Sequence, residues 1–126
     1  MQETLHLHAT EDLPTVILNA EENIFKTTGR ILPEDGNKFF APLLEWVQEY
    51  IKAPNELTEF HLRLDYYNSS TARMLTKMIV ELEKIVETGN KVIVIWEYAE
   101  DDEVMEERGE ELKSISYLPF ELRKIT

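Results

Sequence analysis

Between Leu57 and Val86 the chain changes its hydrophobic period, and that change leaves few folds open. Leu57, Phe60, Leu62 and Leu64 read as the alternating face of a strand, whereas Leu75, Met78, Ile79, Leu82, Ile85 and Val86 recur at helical spacing. Asp65-Tyr66-Tyr67-Asn68-Ser69-Ser70-Thr71-Ala72-Arg73 lies at the crossing point, with three consecutive hydroxyl residues where the helix should start. A helix N-terminus carries partial positive charge, so a phosphate added there is tolerated or favoured.

The rest of the chain extends this pattern. Leu5 with His6-Leu7-His8, Thr15 to Leu18, and Asn23 to Thr27 read as short strands of an N-terminal antiparallel meander. Residues 29–36 read as a connection, with a turn at Asp35-Gly36. From Asn37 to Lys52 the residues Phe39, Phe40, Leu43, Leu44, Val47, Tyr50 and Ile51 form a helical stripe, with Asn37 as its expected cap and Pro42 tolerable near the first turn. Leu57 to Leu64 is an expected strand and Ser69 to Thr88 an expected helix closed by Gly89. Lys91-Val92-Ile93-Val94-Ile95-Trp96 is the most continuous apolar run, the pattern of a central strand covered on both faces. A short acidic helix and a strand over Phe120 to Ile125 complete the chain, Pro119 preceding the strand. The expected fold is a single α/β domain spanning residues 1–126. Its mixed sheet has an antiparallel N-terminal portion, two main helices pack on it, and parallel neighbours join by right-handed crossovers.

Composition excludes several classes of function. The net charge of −12 argues against nucleic acid and against anionic membrane surfaces. No apolar run approaches the roughly 20 residues of a membrane span, and Met1 to His6 lacks the form of a secretory signal, so a cytoplasmic location is expected. Without cysteine there is no disulfide, thiolate metal site or thiol nucleophile. Nine acids and one base, Arg108, fall between Glu97 and Glu111, so this segment carries −8 of the −12. A protein partner with a basic surface is the natural complement.

Catalytic readings fare poorly. His6 and His8 share a strand face and could join His61 as three imidazole ligands, but no accompanying carboxylate pattern supports a metal, and exposed histidines are the simpler reading. The acids at 97–111 do not follow the calcium-loop order, because Val104 and Met105 interrupt it. Ser69 and Ser70 have no G-x-S-x-G or S-x-x-K context, and four glycines leave no phosphate-cradling loop. Trp46 and Trp96 are expected in or beside the core. No cofactor or metal is expected, and the chain is not expected to be an enzyme.

Two readings of the hydroxyl cluster stay open on physics alone. In the first, Asn68 or Ser69 caps the helix and Ser70 and Thr71 fill its first turn. In the second, one hydroxyl is a phosphorylation switch, the added charge of about −1.5 to −2 being held by the helix end and Arg73 while a docked partner is repelled. The expected partner surface comprises Tyr66, Tyr67, Asn68, Ser70 and Arg73 at the junction, with Asp101, Asp102 and Glu103 from the acidic segment.

Several scattered motifs point one way. They are Thr28-Gly29-Arg30 with Pro33-Glu34, Phe39-Phe40-x-Pro42, Trp46 with Tyr50, Leu62-x-Leu64-x-Tyr66-Tyr67-Asn68-Ser69-Ser70, and Val94-x-Trp96-x-Tyr98. Asp101-Asp102-Glu103-x-Met105-x-Glu107-x-Gly109-Glu110 and Pro119-Phe120 continue the set. Together they resemble the SiaC family of bacterial regulatory phosphoproteins. The resemblance implies a non-enzymatic partner-switching protein, similar in logic to anti-sigma-factor antagonists. It implies phosphorylation by a histidine-kinase-like serine/threonine kinase and reversal by a PP2C-type phosphatase. The unmodified form would bind and activate a diguanylate cyclase, within cyclic-di-GMP signalling. Carried onto this chain, the acceptor falls on Ser69, where the family pattern has Thr after the Asn; Ser70 and Thr71 are the alternatives.

Overall fold

A computed structural model describes residues 3–32 and 37–125. The expected turn at Asp35-Gly36 lies outside the described residues, as does the side chain of Asn37, the expected cap of the first helix. The elements run β1 (Leu5–Leu7), β2 (Thr15–Asn19), β3 (Ile24–Ile31), α1 (Asn37–Tyr50), β4 (Leu57–Tyr67), α2 (Ser69–Glu87), β5 (Lys91–Ala99), α3 (Glu103–Ile115) and β6 (Phe120–Ile125).

The six strands form one sheet whose spatial order is the chain order. β1, β2 and β3 pair antiparallel, and β3, β4, β5 and β6 pair parallel. Each parallel step is bridged by one helix, so three helices cross over where two were expected. The third, α3, is held by Asp102 at its N-cap and by Glu103 and Glu106 in its first turn, where acids offset the helix dipole.

Crossovers of one hand in such a sheet put every helix on the same face. Phe25, Phe60, Val94 and Phe120 stand in one cross-strand row of that face, and Thr27, Leu62, Trp96 and Leu122 in the next. Trp46 and Tyr50 of α1 pack on Phe25 with ring centroids 5.9 and 5.1 Å away. Fully burying side chains of this size contributes about 1.5–3 kcal/mol each.

The opposite face carries no helix, which corrects the expectation that β5 is covered on both sides. Ile95 on that face is nonetheless only 3% exposed. Its cross-strand neighbours His61 and Glu121 shield it, and an unbroken apolar run therefore arises in a sheet covered on one face only. β4 holds a second departure. Leu57 lies on the open face at 42% exposure, while Thr58 points inward and its hydroxyl is 2.8 Å from that of Tyr50.

α3 lies very close to the sheet. The Trp96 indole N–H donates to the Met105 carbonyl at 2.9 Å. A Cβ on Gly109 would collide with the Trp96 indole and with the Leu122 side chain. Both obstacles are buried or half-buried side chains, so Gly109→Ala should destabilise the protein by about 1–3 kcal/mol through overpacking. Urea unfolding of the two proteins measures this, and equal midpoints would mean that α3 rides higher over Trp96 than described.

Candidate functional site at the β4–α2 junction

Three features define the junction: a bulge, a cap and a graded exposure of hydroxyls. The register between β3 and β4 runs Gly29 to Leu64 and then Arg30 to Tyr66, so Asp65 is an extra residue on β4. Such a bulge turns the following side chains over. Strict alternation after Leu62 and Leu64 would bury Tyr66 and expose Tyr67. The reverse is found, with Tyr66 48% and Tyr67 2% exposed.

Tyr67 was expected on the partner surface, and its burial corrects that expectation. Its ring meets Trp96 edge-on at 6.2 Å, and the Arg108 guanidinium lies 4.7 Å from its centroid. Burial pushes the Tyr67 phenol up to about 12, with Arg108 pulling the other way.

Asn68 then caps α2. Its backbone is extended (φ −95°, ψ 179°), and its Oδ1 accepts from the Thr71 N–H at 3.0 Å. Its own carbonyl accepts from the Ala72 N–H at 3.0 Å. The three hydroxyls that follow differ sharply: Ser69 is exposed, Ser70 half-buried and Thr71 0% exposed. Burial removes Thr71 from the side chains that a kinase could reach in the folded protein. The first turn of α2 contains no acid, and Arg73 is exposed one turn beyond Ser69.

β4 and β5 are parallel, so the β4–α2 junction and the acidic β5–α3 connection leave the same edge of the sheet. That edge is where open α/β sheets place their ligand-binding loops. Asp101 and Glu103 are exposed there, while Asp102 is half-buried and spends one carboxylate oxygen on the Met105 N–H at 3.1 Å.

The histidines do not converge. His6 and His61 sit in one cross-strand row, separated by Ile17 and Lys26. Three strand spacings put them about 14 Å apart. His8 stays with His6, ring centroids 4.4 Å apart, and His61 instead lies 3.7 and 3.6 Å from the carboxylates of Glu59 and Glu97. Among the described residues no group of three acids or imidazoles is placed to hold an ion.

Sequence reasoning passed over Arg108 as a site residue. Its spacing from Met105 and Leu112 marked it as inward-facing on an otherwise acidic helix, and that was the available signal.

Fold and junction together define a small two-layer α/β domain with an exposed hydroxyl residue at a capped helix start. The chain belongs to the SiaC family, since residues 7–125 match the family described as SiaC family regulatory phosphoprotein. SiaC of Pseudomonas aeruginosa has the same fold, with a TM-score of 0.89 and 22% identity over 98% of this chain and 100% of that one. A chain of the crystal structure of the diguanylate cyclase SiaD in complex with its activator SiaC, from the same bacterium, matches with a TM-score of 0.88. Identity there is 24%, over 96% of this chain and 99% of the other. An uncharacterized protein of Pseudomonas aeruginosa strain UCBPP-PA14 is 24% identical over 119 residues, 94% of each chain. No helix among the described residues is long and apolar enough to cross a membrane.

Two consequences can be measured. Asn68→Ala removes the cap and should cost about 1 kcal/mol of stability, read by chemical denaturation. The raised phenol of Tyr67 stabilises the fold fully below pH 10, and that contribution is lost as pH rises through about 12. Tyr67→Phe should therefore lose less stability than wild type between pH 10 and 12; parallel slopes in that window would refute the assignment.

Proposed function

We propose that this protein is a non-enzymatic partner switch in which Ser69 is the phosphoacceptor and the unmodified form binds and activates an effector. The observation that carries the reading is the exposure of Ser69, next to exposed Tyr66 and Arg73, at the first position of an acid-free helix start. A phosphate there gains from the helix dipole by about 0.3–1 kcal/mol, so the fold survives modification. A partner packed on the same patch would have to desolvate a bulky dianion, and it is released instead.

The effector proposed is a diguanylate cyclase, supported by the complex of SiaD with its activator SiaC. The kinase is a histidine-kinase-like serine/threonine kinase and the eraser a PP2C-type phosphatase, in the cytoplasm. Tyr66, Asn68, Ser70 and Arg73 form the junction side of the effector surface, and Asp101, Asp102 and Glu103 its acidic side.

Incubation with a histidine-kinase-like serine/threonine kinase of the proposed class and ATP, followed by peptide mapping, tests the acceptor. Ser69→Ala should abolish modification; full modification of that variant would transfer the role to Ser70. Ser69→Asp should keep its unfolding midpoint within about 0.5 kcal/mol and bind the effector at least tenfold more weakly. Binding that falls steeply with salt but ignores Ser69→Asp would point instead to a constitutive acidic adaptor built on α3.

A further inference from the structure

A groove of about 210 Å³ runs between α2 and α3. Ala72 and Thr76 line it from α2, Arg108 and Glu111 from α3, and Tyr67 from the end of β4. Ser69, Ala72 and Thr76 fall at i, i+3 and i+7, so Ser69 stands on the helix face that forms one wall. Neighbours at i and i+3 have Cβ atoms about 5–6 Å apart, so Ser69 lies one turn from Ala72, just outside the residues that line the groove.

Arg108 is oddly provided for. Its helix holds Glu103, Glu106, Glu107, Glu110 and Glu111, yet no ion pair among the described residues includes it. Its Nε is buried without a hydrogen-bond partner. Its guanidinium is held 4.7 Å from the centre of the Tyr67 ring. A cation–π contact engages the face of a guanidinium, and Arg108 also reaches the Tyr67 phenol with a hydrogen bond, but its Nε–H donates to nothing. A buried donor without a partner is costly, and the cost is recovered when an acceptor arrives. Glu111 lines the same groove, yet no ion pair among the described residues joins it to Arg108.

We propose that Arg108 is the intramolecular receiver of a phosphate on Ser69. The planar fork of Arg108 meets two phosphate oxygens, as guanidinium does in bidentate phosphate recognition. The pair staples α3 to the start of α2 and closes the groove against a partner. Phosphorylation thus acts by rearranging this protein's own surface as well as by adding charge to it. The proposal rests on Ser69 as the acceptor, and it separates Arg108 from Arg73, which is one turn along α2 and open to solvent.

The test uses full-length protein with phosphoserine installed at position 69 by genetic code expansion, so neither kinase nor effector is needed. The second ionisation of the phosphate, ordinarily near pH 6, is followed by phosphorus NMR. Glu111, Arg73 and the helix dipole of α2 also face the phosphate, and they are unchanged between wild type and the Arg108 variants. With Arg108 in place the titration should lie at least about half a unit lower than in Arg108→Gln. Arg108→Lys, which keeps charge but loses the fork, should fall between, and Arg73→Gln should move it less than Arg108→Gln does. The Arg108 Nε–H resonance should also shift downfield on going from serine to phosphoserine in otherwise wild-type protein, a readout that needs no Arg108 variant to fold. Identical titrations with and without Arg108, or an unmoved Nε–H resonance, would overturn the proposal. Failure of Ser69 as the natural acceptor would appear in kinase mapping and leave these measurements intact.

Discussion

The structure depends on one constraint: a sheet whose spatial order repeats its chain order can hang its crossover helices on one side only. All apolar cover then comes from α1, α2 and α3, and each must lie close to the strands beneath it. Gly109 shows how close, because the Trp96 indole occupies the space of its missing side chain and bonds the α3 backbone. The same constraint gathers the β4–α2 and β5–α3 connections at one edge. The hydroxyl cluster and the acidic turn, 30 residues apart in sequence, become neighbouring loops for that reason.

Most of the fold was legible because its elements keep clean periods. The stripe through Phe40, Leu43 and Val47 and the alternation of Phe60, Leu62 and Leu64 survive unchanged in α1 and β4. The failures have local physical causes. Leu57 is an apolar residue on the polar face, and Thr58 is a polar residue made acceptable inside by the Tyr50 hydroxyl. β3 runs on through Gly29 to Ile31 where a connection was expected, since pairing with β4 outweighs the weak strand preference of Gly. β5 reads as doubly covered because cross-strand neighbours, which no single-strand pattern records, shield Ile95.

The local geometry of the candidate site was legible in part. Asn followed by three hydroxyls announced a helix start, and the structure puts the cap on Asn68. What one strand cannot announce is a slip against its neighbour. The extra residue at Asp65 inverts Tyr66 and Tyr67, giving one to the surface and the other to the core. Arg108 depends on a contact between α3 and the end of β4, for which sequence spacing supplies an inward direction but no partner.

The division of labour at the junction bears on how a switch coexists with a fold. A single residue that both capped α2 and accepted a phosphate would trade its hydrogen bond for the modification. Here the cap falls on Asn68, and the acceptor role proposed above falls on Ser69. Asn68 satisfies the Thr71 N–H with its side chain, and Thr71 packs inside. Ser69 is exposed, and the side-chain bond that caps α2 does not rely on it. A charge placed on Ser69 would therefore leave the cap bond and the buried face of α2 in place, and its effect would be expressed at the surface. A helix start organised in this way can change what it presents to others without changing what caps it.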